Sequence, residues 1–208
     1  MTTVAHAATT YTPAGGPGLA FVASRGQPTM SGLVVTLIEP AQSITCTGFS
    51  LTGSVVSPGA SRAYGVDAAT LGSLSASGCT HGIMGGTSLT ALTTPSFKIT
   101  GDATNGRWPA RVANVRWRIV WANCEFYLDG TINGVFDPAT QVFSPVGNPP
   151  ASGSPYAPTG LVISATPAPP TGSMCLTLDL QAGDTVALSG RFTNTPPAGS
   201  AGLTVTSP

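Results

Sequence analysis

Apolar and polar residues alternate along most of the chain with a period of two, which is typical of β-strands. In VRWRIVW, Val115, Trp117, Ile119 and Trp121 share one face, and the leucines of MCLTLDLQ (174–181) also share a face. About a dozen such runs are spaced regularly along the chain. They lie at 18–24, 32–38, 44–56, 68–77, 88–93, 96–100, 111–124, 125–136, 140–144, 160–167, 174–181, 184–194 and 202–207.

This pattern predicts an all-β fold: one β-sandwich, jelly-roll-like or barrel domain of about ten to twelve short strands. The 26 glycines and 19 prolines favour turns, and good helix formers such as lysine and glutamate are scarce. The domain is predicted to cover residues 8–208, with proline-rich loops at 145–159, 167–172 and 195–200.

Glycine follows an apolar–polar pair inside three of the predicted strands. The three segments are LTGSVV (51–56), LDGTING (128–134) and LSGRFT (188–193). Glycine within a strand indicates a bulge, a bend or close approach of another backbone. We therefore expect the strands to change direction at these points.

Charged side chains make up only 8% of the chain, and the formal net charge is zero. Long-range attraction to nucleic acid is therefore not expected. Apolar runs are too short for a membrane-spanning helix, so no membrane insertion is predicted. Weak charge repulsion permits a homo-oligomer or filament, with 18–24 and 202–207 as candidate edge strands.

The N-terminus carries a possible processing signal. Ala5-His6-Ala7 before Ala8 fits the small-residue cleavage site of a secretory signal peptide, although no charged region or apolar segment precedes it. Residues 1–7 are predicted to be a signal-peptide remnant, which makes the protein secreted or attached to the cell surface. A chance match in an alanine-rich sequence is the alternative.

Four cysteines, Cys46, Cys79, Cys124 and Cys175, predict two disulfides formed in an oxidising compartment. Three pairings are possible, and we favour pairing in sequence order. A zinc site is disfavoured because the chain has no C-x-x-C pair and no histidine at ligand spacing.

Several segments resemble a group of small secreted β-proteins of uncharacterised function from actinobacteria. They are ITCTGFSLTGSVV, LGSLSASGC, CEFYLDGTINGVFDPATQVF and MCLTLDLQAGDTVALSGRFTN, within residues 44–194. The resemblance implies secretion, two disulfides and a β fold. It implies no activity, so no functional residues are carried over from it.

Residues for catalysis or metal binding are sparse. His81 lies in a glycine-rich segment and is predicted to be an exposed loop residue. Glu125 and Asp129 share a strand face with Cα atoms ~13 Å apart, too far for a retaining glycosidase pair. Asp102 and Asn105 offer oxygens for calcium, but a simple turn is favoured there. We predict no catalytic residue, no metal and no cofactor.

Binding residues are sought where arginine and tryptophan interleave. Alternation places Arg116 and Arg118 opposite the apolar face of their strand. Trp108 precedes a proline, so we expect it in a loop with its ring partly exposed as a sugar platform, together with Tyr156 or Tyr64. Trp108, Arg116, Arg118 and Tyr156 are the candidate contact residues.

These observations predict a non-catalytic structural or interaction protein at the cell surface or outside the cell. It is expected to self-assemble through edge strands. One alternative is a carbohydrate- or cell-wall-binding module with a cell-wall glycan as partner. A virion or fibre β-protein is another alternative, and a hydrolase is the least favoured.

Overall fold

The computed structural model describes residues 9–16, 18–24, 32–82 and 85–208, so the predicted remnant at 1–7 lies outside the described residues. Among them are fifteen strands and one short helix. The elements are β1 (Thr10–Gly16), β2 (Gly18–Ser24), β3 (Leu33–Leu37), β4 (Gln42–Val55), β5 (Arg62–Ala63), β6 (Asp67–His81), β7 (Gly85–Ala91), β8 (Ser96–Ile99), β9 (Trp108–Trp121), β10 (Cys124–Asp137), β11 (Val142–Pro145), β12 (Gly160–Ser164), α1 (Ser173–Thr177), β13 (Thr185–Ser189), β14 (Phe192–Asn194) and β15 (Ala201–Thr206).

The all-β prediction is confirmed, but the predicted number of ten to twelve strands is too low. The sequence pattern misses two strands: β1 has too many small or polar residues to stand out as an alternating run, and β5 has only two residues. The predicted run 184–194 is divided into β13 and β14, which pair with different neighbours.

Twelve of the strands form one sheet that closes on itself. β4 pairs with β3, and the sheet continues through β13 and β12 to β10, β9, β7 and β6, which pairs back with β4. A second path from β4 to β10 runs through β2, β14 and β11. The closed sheet corresponds to the barrel form of the prediction, and its inward side chains form the core.

The predicted irregularities at the strand glycines are confirmed. Pairing of β4 with β6 shifts register between Thr52 and Ser54, beside Gly53. Pairing of β10 with β9 shifts between Gly130 and Ile132. Gly190, with φ of 144°, turns the chain from β13 into β14. At Gly53, β4 keeps β2 and β6 as its neighbours across the shift. Just after Gly130, β10 leaves β12 for β11, and at Gly190 the chain passes from β13 to β14. The glycines therefore mark irregular points in the sheet.

The segment with arginine and tryptophan forms β9, and its two predicted faces are confirmed. Val115, Trp117, Ile119 and Trp121 are at most 2% exposed. Trp121 packs edge-on against Phe126 with ring centroids 5.4 Å apart. Trp117 and Trp121 are thus core residues, as predicted, because an inward position in a closed sheet leaves no route to solvent.

The second sheet has the order β15–β1–β5. The expectation that 18–24 forms an edge is wrong, because this strand, β2, pairs with β4 and β14. β15 is the outer strand of the small sheet, but Leu203 near its middle exchanges two hydrogen bonds with the side-chain amide of Gln141, at 2.8 and 2.9 Å. Self-association through β15 stays a prediction.

The prediction of a strand at 174–181 is wrong. Its first half is the helix α1, and Leu176 is 79% exposed rather than buried with its neighbours. Thr171 already pairs with Glu125 beside the start of β10, and the chain turns at Gly172, whose φ is 106°. Because Cys175 must reach Cys124, this tertiary constraint prevails over the alternating pattern.

Both disulfides join the predicted partners. Cys46–Cys79 links the paired strands β4 and β6, and Cys124–Cys175 links the start of β10 to α1. Pairing in sequence order is therefore confirmed. In the described part of the chain, no helix has the length and apolar character needed to cross a membrane.

Candidate functional site

Trp108 differs from its prediction. It is the first residue of β9 rather than a loop residue, and it is only 5% exposed. Trp108 lies opposite Phe136 in the pairing with β10, which places its ring at an inward position. Because a sugar platform requires an exposed ring face, the expectation that Trp108 provides one is wrong.

Arg116 and Arg118 lie on the outer face of β9 as predicted, but each is held by a carboxylate on β10. Arg116 Nε and Nη2 donate to the two carboxylate oxygens of Asp129, both at 2.6 Å. Arg118 does the same to Glu125 at 2.8 and 2.6 Å. In each pair the carboxylate occupies the guanidinium N–H groups that a ligand would otherwise bind. The two arginines therefore connect β9 to β10 and are not available for binding a ligand.

The carboxylates of these pairs stay ionised well below neutral pH. Hydrogen bonding from Arg118, and then from Tyr127, lowers the pKa of Glu125 to about 2. Hydrogen bonding from Arg116 lowers the pKa of Asp129, with Ser164 acting in the same direction against burial. A general acid in a glycosidase needs a raised pKa, so this pair of carboxylates is unsuited to that role.

The Glu125 pair predicts a specific acid sensitivity. The pKa of Glu125 is lowered in the folded protein, so its contribution to stability is present above the ordinary pKa of 4.5 and is lost as pH falls toward about 2. The melting temperature should therefore fall between these values, and the Glu125 carboxyl carbon should titrate near pH 2 by NMR. Glu125→Gln should show a shallower dependence, and a Glu125 titration near 4.5 would contradict the pairing.

Most other cations are also held in place. Of the eight, Arg25 lies outside the described residues. Arg62 donates to backbone carbonyls, Lys98 lies 3.1 Å from Asp67, and Arg111 donates to the side chain of Asn133 at 2.7 Å. With Arg116 and Arg118, five of the seven described cations are thus held by short contacts, and two are not.

Among the described cations, Arg107 and Arg191 are the two that no short contact holds. Arg107 Nε is 3.8 Å from an oxygen of Asp137, and the Arg107 side chain is 65% exposed. Arg191 is exposed, and it makes no ion pair or side-chain hydrogen bond with the described residues. Both line the same groove, together with Tyr156.

This groove, which we call the Tyr156 groove, has a volume of about 640 Å³. It lies between the end of β10, β11, the loop at 145–159 and the connection between β13 and β14. Its size is within the range of small-molecule sites. The hydroxyl groups of Thr140, Ser144 and Ser189 add hydrogen-bonding capacity to its wall.

Local structure fixes the backbone from which each principal side chain extends. Arg107 ends a tight turn in which Thr104 and Arg107 exchange two backbone hydrogen bonds. Arg191 follows Gly190, whose positive φ few other residues tolerate. The loop bearing Tyr156 is fastened by the Thr159 hydroxyl, which donates to the Val146 carbonyl at 2.8 Å.

Asp137 is the one carboxylate among the groove-lining residues. Its Oδ1 accepts hydrogen bonds from the backbone of Ala139 at 3.0 Å and Thr140 at 3.3 Å. Burial raises the pKa of Asp137, but these hydrogen bonds and Arg107 outweigh it and lower the pKa overall. The Asp137 carboxylate therefore stabilises the turn at 137–140, and it offsets the positive charge of Arg107 only in part.

Three other openings in the described part of the chain are lined by fewer groups that could bind a ligand. Grooves of about 430 and 240 Å³ are lined by neither a cation nor an aromatic residue. An interior cavity of about 20 Å³ is apolar and has room for little more than a water molecule. Within the described ranges there is also no group of three histidine, cysteine or acidic residues placed to hold a metal.

His81 is not the exposed loop residue that the sequence predicts. It ends β6, is 3% exposed, and stacks on Trp121 with centroids 4.8 Å apart. Its Nε2 lies 2.9 Å from the amide oxygen of Gln42, and burial lowers its pKa. His81 is thus part of the core, because β6 continues to it instead of turning earlier.

Tyr64 and Asp102, both considered from sequence, contact each other away from the Tyr156 groove. The Tyr64 hydroxyl donates to Asp102, and the Tyr64 ring stacks on Tyr11.

No known protein family, curated protein or solved structure matches the chain. The resemblance to secreted actinobacterial proteins therefore stays a prediction.

Proposed function

We propose that this chain is a non-catalytic extracellular binding protein whose Tyr156 groove takes a glycan. One observation carries the proposal: Arg107 and Arg191, the described cations without a short contact, line one groove with Tyr156. An aromatic ring with guanidinium and hydroxyl groups suits sugar rings, which combine apolar faces with dense hydroxyl groups.

The two disulfides support an oxidising compartment, because disulfides persist in oxidising surroundings. We propose that the protein acts outside the cell or at its surface. A non-catalytic role is supported by the engagement of Glu125 and Asp129 with arginines, because their lowered pKa values leave them ionised and unable to donate a proton at neutral pH.

Removal of the aromatic ring tests the proposal. Tyr156→Ala should weaken binding of an oligosaccharide about 2- to 10-fold, since aromatic contacts contribute about 0.5–1.5 kcal/mol. Isothermal titration calorimetry with neutral and acidic galactose-based oligomers would measure this. Tyr64→Ala is the matched control, because Tyr64 does not line the groove. Equal affinity of wild type and Tyr156→Ala would contradict the proposal.

A further inference from the structure

The charge of the Tyr156 groove differs from that of the whole chain. The chain has eight cationic and eight acidic side chains, whereas the groove is lined by two arginines and one aspartate. We propose that the ligand is an acidic glycan, whose carboxylate or sulfate groups are bound by Arg191 and Arg107. This inference rests on the proposed function and specifies its substrate class.

The availability of the two guanidinium groups supports an anionic ligand. Elsewhere in the described chain, arginines are tied to carboxylates or carbonyls, as Arg116 and Arg118 are. Arg191 has no such partner, and Arg107 makes only the 3.8 Å approach to Asp137. A guanidinium group presents paired N–H donors that match the two oxygens of a carboxylate or sulfate.

The single carboxylate in the wall does not cancel this preference. Asp137 accepts hydrogen bonds from two backbone amides of its own turn. Its charge offsets that of Arg107 in part and leaves Arg191 uncompensated. Because the net charge of the chain is zero, attraction acts only at short range, and binding should weaken as salt rises.

Three probes with related sugar units test the inference: a neutral galactose oligomer, a galacturonate oligomer and a sulfated galactose oligomer. Calorimetry at low and high salt should show at least one acidic oligomer binding about tenfold tighter than the neutral one at low salt. That preference should shrink at high salt. Arg191→Gln should remove it while retaining binding of the neutral oligomer.

Lys98→Gln is the matched control, because it removes the same charge from a residue outside the groove. It should leave the preference unchanged. Equal, salt-independent binding of all three oligomers would overturn the acidic specificity and leave the proposed function standing. Absence of binding by all three would overturn the proposed function, and the inference with it.

Discussion

Replacing Trp117 with alanine should lower the free energy of unfolding by about 3–5 kcal/mol, the usual loss for a buried tryptophan. Trp117 is fully buried and packs edge-on against Phe49 with ring centroids 6.0 Å apart. Denaturant unfolding with the disulfides intact would measure the loss. This result would establish that Trp117 serves the core and not a binding surface.

Two further variants separate packing from other effects. The indole nitrogen of Trp117 is buried without a hydrogen-bond partner in the described structure, so Trp117→Phe should lose less than half as much stability. Val162→Ala, at a site that is 38% exposed, should cost under about 1 kcal/mol. A Trp117→Ala loss as small as that of Val162→Ala would contradict the fold.

Gly130→Ala is the second substitution with a large expected effect, about 2–5 kcal/mol of destabilisation. An added Cβ would lie 2.0 Å from the carbonyl oxygen of Gly160, and φ at this position is 135°. Gly130 and Gly160 belong to the paired strands β10 and β12, and the contact is with a backbone atom. Neither strand can therefore move away without disturbing the sheet. Denaturant unfolding would again give the loss.

Gly72→Ala provides the matched control. It makes the same chemical change in strand β6, where an added Cβ meets nothing within 4 Å. We expect it to change stability by about 0.5 kcal/mol or less. If Gly130→Ala were equally mild, the close approach of β10 and β12 would be wrong.

The sequence predicts best what a single strand determines. Between Val115 and Trp121 the faces of β9 follow from alternation, because every second residue of a strand in a closed sheet points inward. The alternation shifts phase at Asn114, whose φ is 58°, so Trp108 also points inward. The irregularities at Gly53 and Gly130 could likewise be predicted, since glycine inside an apolar strand marks a bulge, a bend or a close approach of backbones.

The ion pairs between β9 and β10 needed one more step. Once the strands are joined by a two-residue turn, Arg116 lies opposite Asp129, and Arg118 lies opposite Tyr127, one position along the same face from Glu125. A hairpin predicted around Ala122 would therefore have placed each arginine beside its carboxylate. Alternation assigns residues to faces, but it gives no register between strands.

The Tyr156 groove could not be assembled from the sequence. Arg107, Tyr156 and Arg191 come from distant segments, and only closure of the sheet brings β13 and β14 beside β11 and the loop at 145–159. The one local signal was the glycine before Arg191, which marks a change of direction. It indicates a turn without revealing what the turn faces.

NMR mapping of ligand contacts would test the central claim most directly. A ¹⁵N-labelled protein, observed at backbone amides and arginine Nε groups, would be titrated with the galacturonate oligomer. We expect shifts concentrated at Tyr156, Arg191 and Arg107, with little change at Arg116 and Arg118. Shifts concentrated on the outer face of β9 and β10, or none at saturating ligand, would contradict glycan binding in the Tyr156 groove.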